Sequence, residues 1–266
     1  MDKASVAGVV ISFGGITTGL LLEGGKLSQI LQPTAALIVA GGTLGAVLLQ
    51  FPARVVVAAF RDLRSVLMDT GLGARDVISR LIQLAQKARR DGIISLDSEL
   101  AHIDDPFARR ALMLAVDGTE SSELRAIMQL ELDASAEAEE ELPRVWESAG
   151  GFAPTIGIIG AVLGLIQVMQ HLDKIDEVGR GIAIAFVATI YGVGFANLIA
   201  LPIAGKLRHR LRYRQIVREL TLEGVVSILE GINPRMLEAK LTGFVQQITD
   251  DSRKSAKAKA QATGAL

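Results

Sequence analysis

Residues 148–170 read SAGGFAPTIGIIGAVLGLIQVMQ, twenty-three positions without an Asp, Glu, Lys, Arg or His. At 1.5 Å of rise apiece, about 20 apolar residues cross the hydrocarbon core of a bilayer. Working outward, three more uncharged stretches match it: Ala4–Leu22, Leu27–Ala53 and Gly181–Gly205, of 19, 27 and 25 residues. Soluble core helices typically run to only about 10–14 residues. The sequence therefore predicts an all-α integral membrane protein with four transmembrane helices, at about 4–22, 31–52, 151–170 and 181–204.

Half of the 266 residues are hydrophobic, yet 21% are charged and the formal net charge is −1. Membrane spans joined to a polar domain give this mixture, and the charge balance indicates no nucleic acid. Cysteine is absent and the three histidines, His102, His171 and His209, are far apart in sequence. Disulfides, thiolate metal sites and a cysteine nucleophile are thereby excluded, and no cofactor or metal is expected. The first apolar run outlasts a typical signal-peptide core and lacks a small-x-small cleavage site, so it is read as a retained span.

Loop charges set the orientation. Lys26 is the one cation between spans one and two, in the turn Glu23-Gly-Gly-Lys26, and Lys174 and Arg180 between spans three and four are offset by Asp173, Asp176 and Glu177. Span two is followed by Arg54, Arg61 and Arg64, and span four by Lys206, Arg208, Arg210, Arg212, Arg214 and Arg218. The positive-inside rule places both basic segments, and hence both termini, in the cytoplasm. The expected domains are 1–53 (spans one and two), 54–147 (a large helical cytoplasmic domain), 148–205 (spans three and four), 206–249 (a cytoplasmic C-terminal helical tail) and 250–266, disordered or frayed.

Within 54–147, Val77, Ile78, Leu81, Ile82, Leu84, Ala85 and Ala88 make one helical apolar face. Gly92 is placed to end that helix in a left-handed cap and Ser95 to cap the next, with Asp97 and Glu99 in its first turn. Asp105-Pro106 marks another start, and a third helix begins near Ser121 or Ser122. Pro143 predicts a kink near the membrane, and Trp146 an anchor at the headgroup level. Gly231-Ile-Asn-Pro234 should interrupt the helix that follows span four.

In the spans, Gly41/Gly45 and Gly160/Gly164 are small-xxx-small pairs, the device that lets helix backbones approach closely in lipid. They can serve this subunit's own packing or assembly with other subunits. Pro154 and Pro202, each at the cytoplasmic end of a span, remove backbone hydrogen bonds and can act as structural kinks or as hinges. Spans three and four hold Thr155, Gln167, Thr189, Tyr191 and Asn197, none of which titrates near neutrality. A chain coupling proton movement to work needs a carboxylate or histidine in the membrane. If this one conducts ions, a partner must supply that group. Neither an enzyme's set of acid, base and nucleophile nor a self-sufficient transporter's paired broken helices can be assembled from these residues.

Four motifs in this order resemble the larger stator subunit of the bacterial flagellar motor (MotA/PomA/MotC type), most nearly its MotC-like branch. They are Pro33-Thr-Ala-Ala-Leu-Ile-Val-Ala-Gly-Gly-Thr43, Ala88-Arg-Arg-Asp-Gly92, Ala153-Pro-Thr-Ile-Gly-Ile-Ile-Gly160 and Ala188-Thr-Ile-Tyr-Gly-Val-Gly-Phe-Ala-Asn197. The resemblance covers roughly residues 4–245 and implies an inner-membrane subunit, not an enzyme. It implies a homopentamer around two copies of a MotB-like single-span partner, which anchors to peptidoglycan and carries the ion-binding Asp. Ion passage would turn this ring and push the rotor's switch-complex protein.

By the same resemblance, Pro154 and Pro202 link ion binding to movement, and Thr189 lies on the ion path. Arg89 and Asp97 face the rotor; otherwise they are ordinary solvated charges, and a Glu is more usual at the second position. Sodium-driven relatives have a Thr where this chain has Ala161. Without that oxygen to replace Na⁺ hydration, protons are the expected ion. An energiser of the ExbB/TolQ type is the rival reading, but such chains typically have three spans with the large insert after the first.

Overall fold

The computed structural model describes residues 3–63, 73–170, 172 and 175–245. Arg64, His171, Asp173, Lys174 and the tail at 250–266 lie outside them. The helices are α1 (Lys3–Leu22), α2 (Leu27–Ile30), α3 (Pro33–Gln50), α4 (Ala53–Arg61), α5 (Ala74–Asp91), α6 (Asp97–Leu100), α7 (Pro106–Val116), α8 (Ser121–Gln170), α9 (Ile175–Phe195) and α10 (Leu201–Leu229). A 3-10 turn fills Ile93–Leu96 and a π-helical turn Ala196–Ala200. Among the described residues, four helices are long and apolar enough to cross a membrane. They are α1, α3, α8 and the run from α9 through the π turn into α10, so all four expected spans are helical.

Two compact units divide the chain: residues 1–70 with 138–210, and 71–137 with 211–266. Residues 54–63 and 138–147, which the charge pattern assigns to the cytoplasmic domain, thus cluster with the spans.

In the first unit, the Glu23-Gly-Gly-Lys26 turn closes α1 by a bond from the Gly25 N–H to the Leu20 carbonyl at 2.9 Å, with Gly24 at φ +78°. That conformation is open to glycine without strain. Pro33 opens α3, where its missing N–H costs nothing. Ala35, Val39, Thr43 and Val47 form the buried stripe of α3. The Tyr191 hydroxyl donates to the Ile30 carbonyl (2.6 Å) and accepts from the Gln32 N–H (3.2 Å), fixing the entry to α3. No residue in the spanning window of α1 is buried. Its apolar surface is left for lipid or other chains to cover.

Trp146 is not a headgroup anchor within this unit. It is 4% exposed, donates Nε1–H to the Ala59 carbonyl at 3.3 Å and stacks at 60° on Phe60 with 4.9 Å between centroids. The amphipathic α4 needs a cover for Val56 and Ala59, and the indole supplies one while keeping its donor bonded. Pro143 is fully buried, and α8 remains helical through both Pro143 and Pro154.

The second unit has a conventional apolar core. Ile78, Leu81, Leu84 and Ala85 of α5 meet Phe107 and Leu112 of α7, Leu124 and Met128 of α8, and Val225 and Val226 of α10. The expected α5 face is therefore the buried one, with Val77, Ile82 and Ala88 packed at its edge. The Tyr213 hydroxyl accepts from the Ala74 N–H at 2.9 Å, satisfying one of the orphan donors that open α5. Asp105 caps α7 by accepting from the Phe107 N–H at 3.3 Å. Two expectations fail locally. Gly92 has φ +83° but ψ 162°, outside the left-handed helical basin. The Ser95 hydroxyl bonds back to the Gly92 carbonyl (2.6 Å) rather than capping a helix, because the chain tightens there into the 3-10 turn. Gly231, at φ +72°, ends α10 as expected, and a last helix runs over residues 234–245.

Candidate functional site

Small side chains decide how α8 meets α9. On α8 they recur as Ala153, Gly157, Gly160 and Gly164, and on α9 and the π turn as Gly181, Ala185, Ala188, Gly192, Ala196 and Ala200. A methyl group placed on Gly157 would lie 2.9 Å from the Ala188 carbonyl and 3.4 Å from the Thr189 Cα. On Gly160 it would lie 2.8 Å from the Ala188 Cβ, and on Gly164 3.0 Å from the Ala185 nitrogen. On Gly192 it would overlap the Ala153 carbonyl. The two helices are antiparallel, and their backbones come closer than any larger residue permits.

This contact brings the two prolines into one neighbourhood. Pro154 has no N–H for the Gly150 carbonyl, and Gly150 itself lies against Ala200 and Leu201, where a methyl would be 2.8 Å from the Leu201 side chain. Leu201 immediately precedes Pro202. The turn before Pro202 is widened, with the Leu201 N–H bonding the Ala196 carbonyl. Pro202 likewise has no N–H to donate into the widened turn that precedes it. Each span therefore lacks one backbone donor near this contact.

Thr189 is half-buried beside Gly157, with its hydroxyl donating to the Ala185 carbonyl of its own helix at 3.3 Å. Ala161 lies half-buried one turn further along α8 from Gly157. The structure thus groups Pro154, Thr189, Ala161 and Pro202 along one helix pair. Gly41 and Gly45 stand apart: a methyl on either meets nothing within 4 Å. Within α3 it is Gly42 that packs: a methyl there would lie 2.8 Å from the Ile156 side chain. Gly160 and Gly164 serve packing within the chain, whereas Gly41 and Gly45 leave an open surface.

In the second unit, Arg89 and Asp97 are exposed on either side of Gly92 and the 3-10 turn. Among the described residues neither side chain makes a hydrogen bond or ion pair, while their neighbours are engaged. Lys87 binds Glu99 at 2.6 Å and the Ser98 hydroxyl at 2.9 Å, and Arg90 pairs with Asp91 at 2.9 Å. The hydrogen bond from Lys87 holds the Glu99 carboxyl below its ordinary value, and Arg90 does the same to Asp91. Among the described residues no group of three or more His, Cys, Asp and Glu is placed to hold a metal.

Comparison with known proteins bears directly on this arrangement. Residues 6–92 match the motility protein A N-terminal model, and residues 99–220 match that of the MotA/TolQ/ExbB proton channel family. Motility protein A of Bacillus subtilis is 35% identical over 246 residues, covering 92% of this chain and 91% of that protein. The chain belongs to the MotA/TolQ/ExbB proton channel family. Two solved structures of this family's motility branch superimpose on it. A chain of the C. jejuni MotAB structure matches with TM-score 0.87 at 32% identity, covering 92% of this chain and 96% of that one. A chain of the flagellar MotAB stator complex from Bacillus subtilis gives 0.84 at 34%, covering 91% and 96%.

For a member of this family, three features escaped the sequence. The π turn has no residue-type signature. Of the small residues at this contact, spacing alone marks only Gly160 and Gly164 as a pair. The inward placement of Trp146 depends on α4, whose amphipathic face alone could have signalled it.

Proposed function

We propose that this chain is the larger stator subunit of a bacterial flagellar motor, forming an ion channel with a MotB-like partner and converting ion flow into torque. The observation that carries this reading is the near-complete superposition on chains of two MotAB structures, over 91% or more of both partners. The spans support it by what they lack, since no residue within them titrates near neutrality. The ion-carrying carboxylate is therefore the partner's, on a single-span helix anchored to peptidoglycan.

Five copies of the chain surround two of that partner in the inner membrane, with both termini and the second unit in the cytoplasm. Pro154, Pro202 and Thr189 couple ion binding to movement of α8 against α9, and Ala161 leaves the path to protons. Arg89 and Asp97, whose side chains are unpaired among the described residues, contact the rotor's switch-complex protein. Gly41 and Gly45, open among the described residues, face neighbouring subunits or lipid.

Co-expression with the adjacent MotB-like gene and native mass spectrometry from lipid nanodiscs tests the assembly. A five-to-two complex is expected. A chain that purifies alone, or with a partner lacking an intramembrane carboxylate, would contradict the reading.

A further inference from the structure

Arg208 stands on α10 six residues beyond Pro202, and Glu147 on α8 seven residues before Pro154. At 1.5 Å of rise per residue, each is about 10 Å along its helix from its proline. Here Val145, Trp146 and Ala149 of α8 pack with Ala200 of the π turn and Ala204 and Leu207 of α10. Arg208 ties the two helices together with all three of its guanidinium nitrogens. Nη2 donates to Oε2 of Glu147 at 2.8 Å, Nη1 faces Oε1 of the same carboxylate, and Nε donates to Oε1 of Glu140 at 3.2 Å. Glu140 and Glu147 are two helical turns apart, so both carboxylates rise from one face of α8.

These side chains are between 31% and 49% exposed, and ion pairs so open to water add little to stability. What the fork fixes is geometry. A planar guanidinium bidentate on one carboxylate, with its remaining nitrogen on a second, resists both rotation and axial sliding of α10 against α8. A lysine ammonium cannot reproduce it. Pro154 and Pro202 each remove a backbone donor beside this contact, which permits bending there. We infer that Arg208 is a positioning residue for movement at the proline contact. Through Glu147 and Glu140 it holds α10 in register on α8, so that a bend at the prolines carries both helices together. This rests on the reading of Pro154 and Pro202 as the residues that couple ion binding to movement.

The test is the speed of a bead on a flagellar stub, in cells that lack their own stators and express this chain with its partner. Each stator that joins the motor raises the speed by one step. Arg208→Lys should shrink that step about twofold or more, while native mass spectrometry and the melting temperature of the purified complex stay parental. Arg208→Glu should be slower still, and adding Glu147→Arg to it should recover speed, a rescue that depends on the pair itself. Parental steps from both Arg208→Lys and Arg208→Ala would overturn the inference. So would a slowed motor whose complex also melts lower or fails to assemble, since the fork would then be only a structural tie. Pro202→Ala in the same assay separates the two readings. If it steps like the parent, the proline reading falls and the inference with it. If it stalls while Arg208→Lys steps like the parent, only the role of Arg208 falls.

Discussion

At the residue scale, the glycines of the spans separate by what a methyl group would meet. At Gly192 it would strike the Ala153 carbonyl, a backbone atom that no rotamer change can move. Gly192→Ala should destabilise the subunit by about 1–3 kcal/mol, as overpacking does, seen as a lower melting temperature in detergent. Gly41→Ala meets open space, so the subunit's own melting temperature should hold or rise, alanine being the better helix former by about 1 kcal/mol. If Gly41 faces another subunit, the same variant should weaken the assembled complex in native mass spectrometry. In the second unit, the Lys87–Glu99 pair gives a pH signature. Glu99 is depressed in the folded state, so its contribution is present above the unfolded value of about 4.3 and is lost as pH falls through the lowered one. Lys87→Met should therefore be less stable than the parent at neutral pH, with the gap in melting temperature closing on acidification. A gap that stays constant would show that the pair contributes no pH-dependent stability.

At the scale of the elements, each of the two spans that pack through small residues lacks one backbone donor, α8 at Pro154 and the run from α9 into α10 at Pro202, just after the π turn. Pro202→Ala restores a donor and should let the π turn relax to a regular helix. The expected outcome is a complex that still assembles with its partner but no longer supports swimming in a strain lacking its own stators. Unimpaired swimming would reduce Pro202 to a structural kink. The four spans were legible in the sequence because an uncharged run of twenty residues has few alternatives in water. The α5 face, the Asp105 cap and the Gly231 break were legible because each depends on neighbours within four residues. The tertiary details were not. Trp146 has the composition of a headgroup anchor, and only the presence of α4 beside it turns it inward. Gly41/Gly45 and Gly160/Gly164 have the same spacing, yet one pair is open and the other packed, since spacing does not say which helix lies opposite. Ser95 could cap a helix or tighten a turn, and the pull of Ile93 and Leu96 into the core decided for the turn.

On the scale of the whole molecule, this is half of an engine. On the function proposed above, the chain would supply the helices that move and the surface that pushes, and its partner the proton-binding carboxylate. On the proposal that Ala161 lies on the ion path, Ala161→Thr adds a hydroxyl there and should confer Na⁺ dependence on rotation speed. A hard cation needs several oxygen ligands in place of its water, so a partial effect is expected from one hydroxyl alone. The most direct measurement is the rotation of tethered cells that build flagella but lack every stator, expressing this chain with its genomic neighbour. Rotation that stops on addition of a protonophore and continues when Na⁺ is removed is the predicted result. Rotation that persists with the protonophore and stalls without Na⁺ would contradict the proton-driven account, and no rotation with both proteins in the membrane would contradict the assignment to the flagellar motor.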